Sequence, residues 1–79
     1  MLYIVDFLNK IKWDKRWNPK DFSVVYADRV ENRSKEIPFT GIKRIEGTFI
    51  VIDVEEEETF IPVHRIRIVK KQGKVVWKR

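Results

Sequence analysis

The only histidine of this chain, His64, stands directly before Arg65, and Arg67 follows within the same alternating run. Imidazole and guanidinium both donate hydrogen bonds, and the planar guanidinium fork matches the paired oxygens of a phosphate. This grouping points to anion binding, or to phosphate-ester cleavage with His64 as general base. Arg29 closes the β-branched run "FSVVYADRV" and is a second phosphate-binding candidate. At a strand end its head group is solvated; held against a sheet it becomes a fixed clamp.

Much other chemistry lacks its parts. There is no cysteine, and one histidine cannot complete a zinc site of the usual nitrogen and sulfur type, so neither a metal nor a cofactor is implied. Gly41, Gly47 and Gly73 are too dispersed for a phosphate-cradling loop. Nothing marks Ser23 or Ser34 as the partner of His64 in a nucleophilic triad. A histidine pair, the simplest machinery for RNA cleavage, is absent. Binding needs less than catalysis and is the favoured reading.

The chain has 79 residues, enough for one domain with a small core. Its net charge is +5, and the cations are segregated. Residues 64–79 hold seven Lys or Arg and no acid, and residues 10–20 hold Lys10, Lys12, Lys15, Arg16 and Lys20 against Asp14. The acids gather at Glu55–Glu58. A basic face of this kind suits a polyanion such as RNA, with Lys15 and Arg16 adding to the field. A solvated surface rich in ion pairs is the bland alternative. Charged residues make up 37% of the chain while Gln and Met occur once each, which predicts a thermophilic source. No apolar run approaches the ~20 residues of a membrane span, and no signal peptide is evident, so a soluble cytoplasmic protein is expected.

The elements that must position these residues read as α+β. One amphipathic helix spans 2–12, with Ile4, Val5, Leu8 and Ile11 on its apolar face and Phe7 at the border. It is expected to pack on one curved, mostly antiparallel sheet of about five or six strands. Residues 14–21 form a basic loop around Asn18-Pro19. Residues 22–30 form a strand with Phe22, Val24 and Tyr26 on one face, and 31–36 a polar hairpin or loop. Pro38 and Gly41 mark a short edge strand and a turn. Residues 48–54 are a central strand covered on both faces. The four glutamates make an exposed hairpin tip, and 59–62 begin the return. Residues 65–70 and 74–79 form the last two strands around Gly73. No internal repeat is evident.

The aromatics offer faces for base stacking. Spacing assigns Trp13 and Trp77 to the core, whereas Trp17, beside a turn and among charges, is a candidate platform, with Tyr26 a second. Periodicity places His64 with Ile66 and Ile68 and so favours the core; a bend at Pro62 would turn it to the sheet rim instead.

Four stretches, "LNKIKWD" (8–14), "VVYADR" (24–29), "IPFTGIKRI" (37–45) and "IPVHRIRIV…GKVVWKR" (61–79), resemble the RNA cyclic group end recognition domain, a family of small basic archaeal proteins. The shared pattern is a helix ending in Trp-Asp, a strand ending in Arg, Ile-Pro-x-His-Arg-Ile, and a terminal Gly-x-x-x-Trp followed by cations. The resemblance implies binding of RNA ends that carry phosphate, including 2′,3′-cyclic phosphate. It also implies association with RNA end-processing enzymes, because related domains occur joined to such modules. The polar positions of the pattern fall on Asp14, Arg29, His64 and Arg65. Val30 replaces a frequent glycine, and Glu55–Glu58 replaces a frequent Asp-Gly turn. Under this resemblance His64 moves to a phosphate-binding corner. The alternatives are a cyclic phosphodiesterase using His64 and a basic protein-interaction module.

Overall fold

The computed structural model describes residues 3–78. Among them are one α-helix and seven strands, and the strands form two antiparallel sheets. The helix α1 spans Ile4–Trp13 and buries Ile4, Phe7, Leu8 and Ile11. Those positions follow the three- and four-residue spacing of one helical face. Phe7 is central to that stripe, while Val5 is only half-buried. Trp13 does not join them. It lies two residues past Ile11, which at about 100° per residue puts it on the far side of the helix. It is 74% exposed, with the Lys12 ammonium 5.4 Å from its ring centre.

The strands are β1 (Phe22–Asp28), β2 (Arg33–Pro38), β3 (Ile42–Glu46), β4 (Phe49–Val54), β5 (Glu57–Pro62), β6 (Ile66–Lys71) and β7 (Lys74–Lys78). They do not form one curved sheet. A four-stranded sheet runs in the order β2-β1-β6-β7, and a three-stranded sheet in the order β3-β4-β5. The prolines explain the split. Pro38 and Pro62 each end an edge strand, where a missing N–H costs no ladder bond. Each is followed by a single 3-10 turn, Phe39–Gly41 or Val63–Arg65, that carries the chain into the other sheet. Residues 31–36, expected as a polar hairpin or loop, belong to a hairpin, and strand β2 runs from Arg33 through to Pro38, where a short edge strand was expected. Its residues are mostly exposed, so its backbone pairing with β1 left no apolar pattern to read.

The two halves of the structure repeat one another. In the first pairing, β1 meets β6 through Tyr26–Ile66, Val25–Ile68, Val24–Val69 and Ser23–Lys70. In the second, β4 meets β3 through Ile52–Ile42, Val51–Arg44, Ile50–Ile45 and Phe49–Glu46. The registers coincide step for step, including one bulged residue, Arg67 in the first pairing and Lys43 in the second. The hairpins match as well: Val24–Ile37 and Ser23–Pro38 correspond to Ile50–Ile61 and Phe49–Pro62. The unit β1-β2-turn-β3 is therefore matched by β4-β5-turn-β6, each unit lending its third strand to the other. The bare sequence displays only a trace of it, Ile-Pro-x-x-x-Ile followed by a cation at 37–43 and again at 61–67; the strand register reveals the rest.

The core is one cluster where α1 and both sheets meet, including Leu8, Ile11, Val24, Ile50, Ile66 and Val69. In β4 the consecutive residues Ile50, Val51 and Ile52 are all buried, as expected of a central strand. Trp77 packs against the cluster from β7. The glutamate run does not stay together at a tip. Glu55 and Glu56 form the turn in the left-handed region, with φ of 50° and 69°, while Glu57 and Glu58 are already in β5. A non-glycine residue there costs roughly 1 kcal/mol. Glu56→Gly is expected to raise stability by about 1 kcal/mol, a rise of roughly 4–8 °C in Tm by calorimetry.

Candidate functional site

His64 and Arg65 are placed by the 3-10 turn that follows Pro62, so His64 is not in a strand and not in the core. Val63 and Ile66 on either side are buried and anchor the turn, and the Val63 N–H donates to the Thr48 carbonyl at 2.8 Å. His64 projects to the rim and is exposed, whereas Arg65 is half-buried. Arg67 is the bulged residue of β6 and is exposed. Arg29 is the first residue after β1 and is also exposed.

These four side chains, with Ala27, line one shallow cleft of about 330 Å³. No carboxylate among the described residues lines it. Among the described residues, the ion pairs engage Arg16, Arg33, Lys35, Lys43, Arg44 and Lys70, and leave Arg29, Arg65 and Arg67 without a counter-ion. The adjacent acid, Asp28, is occupied elsewhere. Its carboxylate accepts the Val30 and Glu31 N–H groups at 2.8 and 3.2 Å and pairs with Lys35 at 3.1 Å. The Lys35 contact, aided by the backbone N–H groups, holds its carboxyl below the usual range.

The matching corner of the other half shows what is special here. There the bulged cation, Lys43, is neutralised by Asp53 at 3.4 Å and Glu58 at 3.0 Å. Glu58 also receives both terminal nitrogens of Arg44, and chiefly because of that contact its carboxyl is held at about 2. In register, Asp53–Glu58 corresponds to Ala27–Ser34. The half that holds Arg67 thus has an alanine and a serine where the other has two acids. His64 and Arg65 correspond to Thr40 and Gly41. The first hairpin also has a four-residue connection, Arg29–Asn32, where the second has only Glu55–Glu56. A shared framework therefore carries a neutralised corner in one half and an unneutralised cationic corner in the other.

The remaining sequence candidates lie elsewhere. Arg16 is held by Asp14, its Nε and Nη2 donating to the two carboxylate oxygens at 3.1 and 3.0 Å. That contact lowers the Asp14 carboxyl to about 2 and closes the loop after α1. Lys15 is exposed on the same loop, and neither Lys15 nor Arg16 lines the cleft. Trp17 is not an open platform. The turn at Asn18-Pro19 folds it back, and its ring packs between Phe7 and Phe22 at centroid distances of 5.8 and 5.5 Å, with the Lys10 ammonium 5.0 Å away. Tyr26 points into the core beside Phe22 and Val24 and is only 6% exposed, so it offers no stacking face either. Burial pushes its phenol pKa up.

One aromatic that periodicity passed over is exposed beside the cleft: Phe60, on β5. Its signal in the sequence was weak, because a phenylalanine in a strand reads as core. Among the described residues no helix is long and apolar enough to cross a membrane.

Comparison with known proteins gives one consistent result. The family model described as MJ1316 RNA cyclic group end recognition domain matches residues 1–79. A UPF0248 protein of Metallosphaera sedula is 38% identical over 76 residues, covering 96% of this chain and 91% of the relative. UPF0248 proteins of Saccharolobus islandicus and Saccharolobus solfataricus are 33% and 30% identical, with coverage of 95% or more on both sides. No solved structure matches the chain.

Proposed function

The chain belongs to the MJ1316 RNA cyclic group end recognition domain family, and from that premise we propose that it binds phosphate-bearing RNA ends through the corner formed by Arg29, His64, Arg65 and Arg67. The observation that carries this reading is the set of three guanidiniums around one cleft that have no counter-ion among the described residues. A guanidinium without a counter-ion is ready to take a phosphate, because no internal pair must first be broken. His64 adds an imidazole donor at the same rim. The ligand in this reading is the terminal phosphate of an RNA, with the 2′,3′-cyclic phosphate as the preferred form.

Charge and shape can be separated. A cyclic phosphate diester carries one negative charge, while a terminal phosphate monoester carries about −1.5 to −2 near neutral pH. A purely electrostatic corner would prefer the monoester. Fluorescence anisotropy with RNAs identical except for a cyclic phosphate, a 3′-phosphate or a 3′-hydroxyl end tests this. The expected order places the cyclic end first and the hydroxyl end last. Equal affinity for all three ends would overturn the reading and leave nonspecific electrostatic binding.

The role is one of binding. Ring opening with His64 as base would be helped by a second proton-transfer group, and among the described residues the cleft is lined otherwise only by Ala27 and three arginines. A cyclic-phosphate dinucleotide incubated with the protein is therefore expected to remain intact by chromatography. Hydrolysis that disappears in His64→Ala would replace the binding role with a catalytic one.

A further inference from the structure

The phosphate corner continues into a second depression. A groove of about 210 Å³ shares Ala27, Arg29 and Arg65 with the corner and runs between the end of β1 and the edge strand β5. It is smaller than the roughly 300–1,000 Å³ of pockets for drug-sized ligands, a scale that suits one base rather than a length of chain. Its far wall is apolar and includes Phe60, Val54 and Ile61. Phe60 is 48% exposed and Val54 44% exposed, so this wall presents open apolar surface next to the arginines. Phe49 buttresses Phe60, their rings nearly perpendicular with centroids 6.2 Å apart.

The internal repeat makes the same point independently. In register, Phe60 opposes Val51 as Glu36 opposes Val25. Glu36 is engaged by Ser23 and Lys70, at 2.8 and 3.1 Å. Where the four-stranded sheet has an ion-paired acid, the three-stranded sheet has an exposed ring at the matching position, on the groove wall that faces the phosphate corner. A flat aromatic beside a phosphate site is the arrangement that single-stranded RNA recognition uses, with the phosphate on cations and the adjoining base stacked.

We infer that the groove seats the terminal nucleoside of the bound RNA, with Phe60 as the surface on which its base stacks. This rests on the phosphate-end reading and adds a base subsite to it. The subsite reads the base by stacking, so any of the four bases is accepted.

Anisotropy with the full chain tests it, using a labelled short RNA that ends in a 2′,3′-cyclic phosphate and carries either a normal or an abasic last nucleotide. Phe60→Leu keeps an apolar side chain without a flat face, and Phe60→Tyr keeps the face. Phe60→Leu is expected to weaken binding of the normal RNA about tenfold and to leave the abasic RNA unchanged, while Phe60→Tyr stays near wild type. Circular dichroism melting confirms that each variant is folded before it is read. Unchanged affinity in Phe60→Leu, or equal loss on both RNAs, overturns the base subsite. A wild-type protein that does not distinguish the cyclic end from a hydroxyl end overturns the phosphate reading instead, and with it the subsite.

Discussion

Arg65→Ala is expected to lower affinity for a phosphate-ended RNA by roughly 10- to 100-fold, the value of a charge-assisted hydrogen bond lost to an ionised partner. The loss should be much smaller on an RNA ending in hydroxyl. Arg65 is half-buried in the turn that the buried Val63 and Ile66 anchor. It has no ion pair among the described residues, so the variant leaves no orphaned carboxylate behind and should fold normally. Ala27→Asp is the complementary test. It restores the acid that the other half places beside its bulged cation, where Asp53 meets Lys43. Arg67 should then be neutralised internally, with binding weakened and the melting temperature close to wild type. Arg16→Ala is the control, since its guanidinium is already held by Asp14. Titrations at several salt concentrations separate the contributions, because each lost phosphate contact lowers the salt slope by about 0.7 for a single strand. An equal loss on phosphate- and hydroxyl-ended RNA in Arg65→Ala would reduce Arg65 to a contributor to the general field.

Leu8→Ala is expected to have the largest effect on stability, about 2–5 kcal/mol. Leu8 is fully buried in the cluster where α1 meets both sheets. A domain of 79 residues has a total stability of roughly 4–12 kcal/mol, so this one truncation removes a large share of it. Urea denaturation should show a much lower midpoint with little change in slope. Trp13→Ala, on the opposite side of the same helix, removes a larger side chain yet should change stability by no more than about 0.5 kcal/mol. A larger cost at Trp13 than at Leu8 would reverse the assignment of helical faces.

Particular residues show how far local pattern reaches. The stripe Ile4, Leu8, Ile11 identified the buried face of α1, and the alternation Phe22, Val24, Tyr26 identified the buried face of β1. Trp13 and Trp17 exchanged their expected places. A bulky aromatic is drawn to apolar surface wherever the chain can reach it, and the turn at Asn18-Pro19 lets Trp17 reach Phe7 and Phe22. Residues 33–36 carried no clear strand signal because an edge strand is held by backbone hydrogen bonds, which any polar side chain permits. Pro62 was readable as a bend, but only its 3-10 turn decided that His64 faces the rim.

The sequence by itself determined the helix and most strands, through periodicity and turn residues, and it carried enough of a motif to indicate the family. It also supplied the excess of cations. Tertiary structure decided the division into two sheets, the full extent of the internal repeat, and which cations lack a counter-ion among the described residues. Whether an arginine is available to a phosphate depends on the carboxylates that reach it in space, and in this chain those come from residues far apart in sequence. Lys43 finds Asp53 and Glu58 across a sheet, while Arg67, in the equivalent place, meets Ala27 and Ser34 at the same register positions. Composition counts both as cations; only the register of the strands makes one a structural ion pair and the other a binding group.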